Sequence, residues 1–205
     1  MPGSITIVTE DAPSELLAER IIRHVDPEAM VTNRLGRQGI GFIAGKLRGL
    51  NEAAQGMRIL VLADRDRPDN CPIELIQGWV GGPQSQNLVV RLAEMETESW
   101  IIADRERLAT YLEIPLVRVP QTPDELGNAK ETLVNLARLS RSRRIRDDMC
   151  PAARAVTRVG PAYNQRLDDF LRTSWRVDAA ARFSPSLARA VRRTRELCIE
   201  RPGFY

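Results

Sequence analysis

Apolar residues along this chain follow strand and helix rhythms by turns in the first half and the helix rhythm alone in the second. Ser4–Thr9 reads SITIVT, a compact β-branched block that ends on an acid, Glu10. Pro13 and Ser14 then open a helix over 14–24, with Leu16, Leu17, Ile21 and Val25 on its apolar face and Asp26-Pro27 at its end. A second helix, over 39–54, carries Ile40, Ile43, Leu47 and Leu50 at helical spacing. The block over 57–63, MRILVLA, is almost continuously apolar, as in strands buried on both faces of a parallel sheet. It stops abruptly at Asp64-Arg65-Asp66-Arg67-Pro68. A short helix over 73–80, the breaker Gly81-Gly82-Pro83 and a strand over 87–92, NLVVRL, complete this half.

Strands alternating with helices imply an α/β fold with a mainly parallel sheet flanked by helices. Beyond Glu96 the pattern predicts helices over 98–104 continuing into 105–112, and over 129–139, 162–175 and 186–200, giving a helical C-terminal portion. The Pro- and Gly-bearing stretch over 120–127 reads as the linker, so an α/β domain over 1–120 and a helical extension over 121–205 packed on it are expected.

Composition narrows the class. With 205 residues, 43% hydrophobic and 28% charged, the chain has the balance of an ordinary globular protein and buries enough surface to need no disulfide or structural metal. Three scattered cysteines, Cys71, Cys150 and Cys198, do not make a disulfide framework or a zinc cage, and a cytoplasmic location is expected. No apolar run approaches the roughly 20 residues of a membrane span, and Met1-Pro2-Gly3-Ser4 lacks the features of a secretion signal. Only Lys46 and Lys130 among the 30 basic residues are lysines. Codon bias accounts for such a preference, and so do phosphate-binding surfaces, where the arginine fork is favoured.

The acids at the strand ends carry the chemistry. In an open parallel sheet ligands collect at the carboxyl edge, where Glu10 and Asp64 both emerge. Asp64 and Asp66 are two apart, so in extended backbone both carboxylates leave the same face and can converge on one cation. Magnesium takes oxygen ligands and usually only one or two protein carboxylates, leaving room for a phosphate. Glu10, Asp64 and Asp66 fit a magnesium or manganese site for phosphodiester hydrolysis or transfer. The same letters equally describe solvated loop acids. A dehalogenase-type phosphatase fits poorly, because Arg67 and Pro68 follow Asp66, and a P-loop fails at Ile40 and Leu47 around Gly45-Lys46.

Strand-Glu followed by strand-Asp-x-Asp resembles the Toprim fold shared by topoisomerases, primases and nucleases of the overcoming-lysogenization-defect class. The segment 94–112, EMETESWIIADRERLATYL, with Lys130-Glu131 and the later GPAYNQRL and SPSLARA, is similar to a Toprim-like family of unassigned function, often encoded beside ABC-type ATPases in bacterial defence islands. The resemblance implies that Glu10 is the acid/base or metal-linked glutamate and that Asp64 and Asp66 hold magnesium. Many Toprim members have a glycine soon after the glutamate, whereas Asp11-Ala12-Pro13 stands here, so a differently shaped loop is expected. Glu98, in the recurring Glu98-Ser99-Trp100 element, either extends the acidic site or sits at a helix start while Trp100, Ile101 and Ile102 pack that helix on the sheet. Lys130 either meets substrate phosphate or is a surface residue.

Arg138, Arg141, Arg143, Arg144 and Arg146 form one basic cluster, and Arg189, Arg192, Arg193 and Arg195 another. Such clusters are the footprint of nucleic acid, with Lys130, Arg141, Arg143 and Arg144 the candidate contacts, although solvated helix faces look the same. His24, the lone histidine, is assigned to a helix end, and Cys150 has no sequence-adjacent base. The expected function is a metal-dependent nuclease or phosphoryl-transfer subunit acting on DNA or RNA, implied by the resemblance to work in anti-phage defence with an ATPase partner. The alternative is a non-catalytic Toprim-shaped subunit that docks on such an ATPase and regulates it.

Overall fold

The computed structural model describes residues 3–64, 71–93 and 96–199, which divide into two compact units. The first contains residues up to 93 together with those from 188 onward; the second is 94–187. The division follows the last strand directly. The stretch over 120–127 lies inside the second unit instead of between units, because Asp124 accepts hydrogen bonds from the Ser184 hydroxyl (2.6 Å) and the Ser186 N–H (2.8 Å).

The first unit is built on a four-stranded, all-parallel sheet of β1 (Ser4–Thr9), β2 (Met30–Gly36), β3 (Arg58–Asp64) and β4 (Leu88–Ala93), in the order β2-β1-β3-β4. The α/β class with a parallel sheet and C-terminal helices is therefore observed. Helix α1 (Ala12–Val25) links β1 to β2, α2 (Ile40–Ala53) links β2 to β3, and α3 (Pro72–Val80) precedes β4. Val8, Ile59, Val61, Leu88 and Val90 pack on one sheet face with Ile43 and Leu47 of α2 and Val80 of α3. Ile5 and Ile7, on the alternate side of β1, are fully buried, as is Leu17 of α1.

Strand β2 has no counterpart in the apolar pattern. It is a sheet edge, paired only with β1, and its sequence MVTNRLG leaves most positions exposed, so nothing forces the alternation that marks a half-buried strand. Helix α1 begins two residues earlier than its pattern suggests because the Asp11 carboxylate accepts the Ser14 N–H at 2.9 Å, capping the first turn. Gly81, at φ 67°, closes α3 in the left-handed conformation.

The second unit contains α4 (Glu98–Ala103), α5 (Arg105–Tyr111), α6 (Ala129–Arg138), α7 (Arg143–Met149), α8 (Tyr163–Thr173) and α9 (Val177–Ala181). The helix expected to run on through 98–112 is broken at Asp104, whose ψ of 68° leaves helical space. Its carboxylate, 1% exposed, accepts from the Arg176 backbone N–H (2.8 Å), Nε (3.1 Å) and Nη2 (2.7 Å). Trp100, Ile101 and Ile102 are fully buried, and α4 packs against α6 and α9. The Trp100 indole donates to Ser186 Oγ at 2.7 Å. Helix α10 (Pro185–Ile199) leaves the second unit at residue 187 and continues in the first.

Candidate functional site

The strand order places the switch point of the sheet between β1 and β3, since the connection leaving β1 goes to one side and the one leaving β3 to the other. Parallel sheets bind ligands in the crevice at this point, outside the carboxyl ends. Glu10 follows the last residue of β1 and Asp64 is the last of β3, so the two acids flank that crevice.

Glu10 reaches across it: its Oε1 accepts the Asp64 backbone N–H at 2.6 Å. Both residues are half-buried. The backbone around Glu10 is held from the β2–α2 loop, where Arg37 N–H donates to Thr9 O (2.8 Å) and Gly39 N–H to Glu10 O (3.4 Å). Gly36 enters that loop at φ 113°, and a Cβ there would sit 2.0 Å from Thr9 O, so only glycine fits. Arg37 itself has φ 58° and is fixed by a fork on Glu15, Nε to Oε2 at 2.9 Å and Nη2 to Oε1 at 2.7 Å. That pairing holds the Arg37 guanidinium above its ordinary range. After Glu10, Asp11 serves as the cap of α1, and glycines are supplied by the neighbouring β2–α2 loop.

Glu10 and Asp64 offer oxygen donors, the type a hard divalent cation takes. Glu10 and Asp64 are carboxylates at one crevice, and the Asp64 N–H orients the first of them. Asp66, the third expected ligand, lies outside the described residues. Among the described residues no group of three or more His, Cys, Asp or Glu gathers as a metal site.

Glu98 and Lys130 belong to the second unit, where the structure brings them together. Glu98, 4% exposed at the start of α4, lies with its Oε1 3.3 Å from Lys130 Nζ and accepts the Tyr163 hydroxyl at 3.2 Å. The Lys130 N–H donates to Glu96 Oε2 at 2.7 Å, and Asn128 caps α6 through the Glu131 N–H. A cavity of about 450 Å³ adjoins this group, lined by Glu96, Asn128, Lys130, Asn135, Arg138 and Arg158. Lys130 is thus neither a solvated surface residue nor buried: its side chain is 40% exposed and anchored on a buried carboxylate. Tyr163 had no local signal, being 65 positions from Glu98.

Arg141, Arg143 and Arg144 are exposed at and before the start of α7. Arg143 faces Asp147 (3.4 Å) and Arg144 faces Asp148 (3.9 Å), one turn on, and Asp148 also holds Arg166 at 2.7 Å. Those two acids are interspersed with the arginines on this helix. Cys150 donates its thiol to Val134 O at 3.6 Å, and burial pushes its pKa up, the wrong direction for a nucleophile. His24 lies in the last turn of α1.

No protein-family model, curated protein or solved structure matches the chain. No helix among the described residues is long and apolar enough to cross a membrane.

Proposed function

We propose that the chain is a divalent-metal-dependent phosphodiesterase acting on nucleic acid, a nuclease of Toprim-like character. The observation that carries the proposal is the Glu10 carboxylate held on the Asp64 N–H at the switch point of a parallel sheet. Asp64, with Asp66, would hold magnesium or manganese, which when bound supplies positive charge to the phosphoryl oxygens. Glu10, held at its Oε1 by the Asp64 N–H, would take or deliver a proton at the scissile phosphate or complete the cation's ligands. In its own unit, Lys130 is an ammonium oriented by Glu98, suited to a phosphate in the adjoining cavity. The resemblance extends the proposal to anti-phage defence beside an ABC-type ATPase, which would supply the nucleotide chemistry for which this sequence has no P-loop.

The test is cleavage of end-labelled tRNA, single-stranded DNA and plasmid with magnesium or manganese, alone and with a candidate ATPase. Wild type is compared with Asp64→Ala/Asp66→Ala and with Glu10→Gln. Metal-dependent cleavage lost in the double variant and reduced about 10²–10⁴-fold by Glu10→Gln supports the reading. A melting temperature raised by the metal in wild type alone supports the site without reference to activity. Wild type that neither cleaves nor shifts its melting temperature with metal overturns the reading in favour of a non-catalytic subunit.

A further inference from the structure

Strand β4 carries one charge among apolar residues. Leu88 and Val90 face the α2 and α3 side and are 1–3% exposed; Val89 and Arg91 alternate to the other side. The Arg91 Nε is buried and has no hydrogen-bond partner among the described residues. The charges that act on it most are Arg193, Arg189 and Arg192 of α10, opposed by Glu196. Glu196 is itself paired with Arg193 and lies 4.0 Å from Arg192. Burial, and then these like charges, pull the Arg91 pKa down to about 10.

This is an expensive arrangement for a chain to keep as structure alone. A half-buried guanidinium whose Nε is buried without a partner loses hydration at that atom, and crowding guanidiniums around it adds repulsion. An anion would offset both. There is room for one: a cleft of about 190 Å³ is lined by Arg91 and Arg193 together with Ile73, Ile76 and Gln77 of α3 and by Gln84. Two guanidinium forks suit the several oxygens of a tetrahedral phosphate.

We propose that the cleft bounded by α3, β4 and α10 is a phosphate-binding site in which Arg91 and Arg193 grip a single phosphate group. Arg91 pairs in register with Leu62, two residues short of Asp64, so it lies about 7 Å along the strands from the level of the acids. If the nuclease reading holds, the phosphate belongs to a nucleic acid strand anchored beside the cleavage site. The cleft itself does not depend on that reading.

The experiment follows thermal unfolding of the full chain during titration with inorganic phosphate, at constant ionic strength and with chloride as control. It uses wild type, Arg91→Met, Arg193→Gln and Asp64→Ala. At about 100 times the dissociation constant the wild-type melting temperature should rise by about 5–10 °C. The shift should fall by more than half in Arg91→Met and in Arg193→Gln and persist in Asp64→Ala. Without phosphate, Arg91→Met should melt no lower than wild type, since it removes the buried, unpartnered Nε and the repulsion from the α10 arginines. Should Arg91→Met fail to fold, Arg193→Gln, a substitution on a partly exposed helix surface, carries the test. A wild type with no saturable shift, or a shift in both arginine variants as large as that of wild type, overturns the site even if the protein cleaves nucleic acid. Binding of oligonucleotides with and without a 5′-phosphate separates the sources. Equal dependence on Arg91 identifies a backbone diester, dependence only with the 5′-phosphate identifies a strand end, and dependence for inorganic phosphate alone identifies a small phosphorylated ligand. Any of the three supports the site.

Discussion

Replacing Gly36 by alanine tests how the Glu10 backbone is held. Gly36 is the last residue of β2 and pairs in register with Thr9, the residue before Glu10. At its φ of 113° an L side chain is strained, at a cost of about 1–3 kcal/mol. Its Cβ would also stand 2.0 Å from Thr9 O and 3.1 Å from Thr9 C and N. Those are backbone atoms of a strand paired on both sides, so they cannot swing away as a side chain would, and overpacking of this kind adds about 1–3 kcal/mol. The sum, about 2–6 kcal/mol, corresponds to a fall in melting temperature of about 5–20 °C for a chain of this size. Two neighbours serve as internal controls. Gly39, at φ 78° with nothing near its would-be Cβ, should lose only about 1–2 kcal/mol on substitution by alanine. Gly41, helical and open, should gain about 0.5–1 kcal/mol. Urea and thermal unfolding of the three variants should therefore rank them Gly36→Ala, Gly39→Ala, wild type, Gly41→Ala in rising stability. A Gly36→Ala protein within about 0.5 kcal/mol of wild type, or no worse than Gly39→Ala, would refute the reasoning.

Thiol labelling followed by mass spectrometry should modify exposed Cys71 first and Cys198 last. Burial raises the Cys198 pKa to about 11, so at pH 9 only ~1% of it is thiolate. Because the unfolded thiol ionises first, this group should lower stability as pH climbs from 9 towards 11, and a labelling rate for Cys198 equal to that of Cys71 in native protein would contradict the burial. Asp104→Ala should destabilise by about 2–4 kcal/mol, since it removes the shared acceptor of the Arg176 backbone N–H, Nε and Nη2 and leaves the guanidinium only Glu106; unfolding within about 0.5 kcal/mol of wild type would show that the clamp contributes little.

What the sequence revealed depended on how much a segment had to bury. Strands β1, β3 and β4 are read directly because their side chains are buried in a sheet covered by helices, which demands apolar blocks. β2 was illegible because an exposed edge strand can be polar throughout. Helix α7 was hidden in an arginine run. It forms because Ser142 caps it through the Ile145 N–H, and Ile145 and Met149 one turn apart supply its buried side. At the candidate site, Glu10 and Asp64 were legible as strand ends, but the bond between them was not, since 54 residues separate them. For Glu98 the sequence left open both an acidic site and a helix start; its ion pair with Lys130 and its bond to Tyr163 come from folding alone. Arg91 stood in plain view as a charge inside an apolar strand, yet its meaning depended on arginines about a hundred residues downstream.

The sheet unit is assembled from two stretches, up to residue 93 and from 188 on. All four strands leave the ribosome before the helix that belongs with them has been translated. At ordinary elongation rates the intervening residues take roughly 5–20 s to synthesise. For that interval the nascent sheet lacks the α10 segment from residue 188, whose C-terminal turn accepts the Arg58 guanidinium through Cys198 O at 3.2 Å. The phosphate cleft cannot exist during translation of the second unit, because Arg193 has not been made, so ligand binding there can act only after residue 193 has been added and never as a template for folding the sheet before that point.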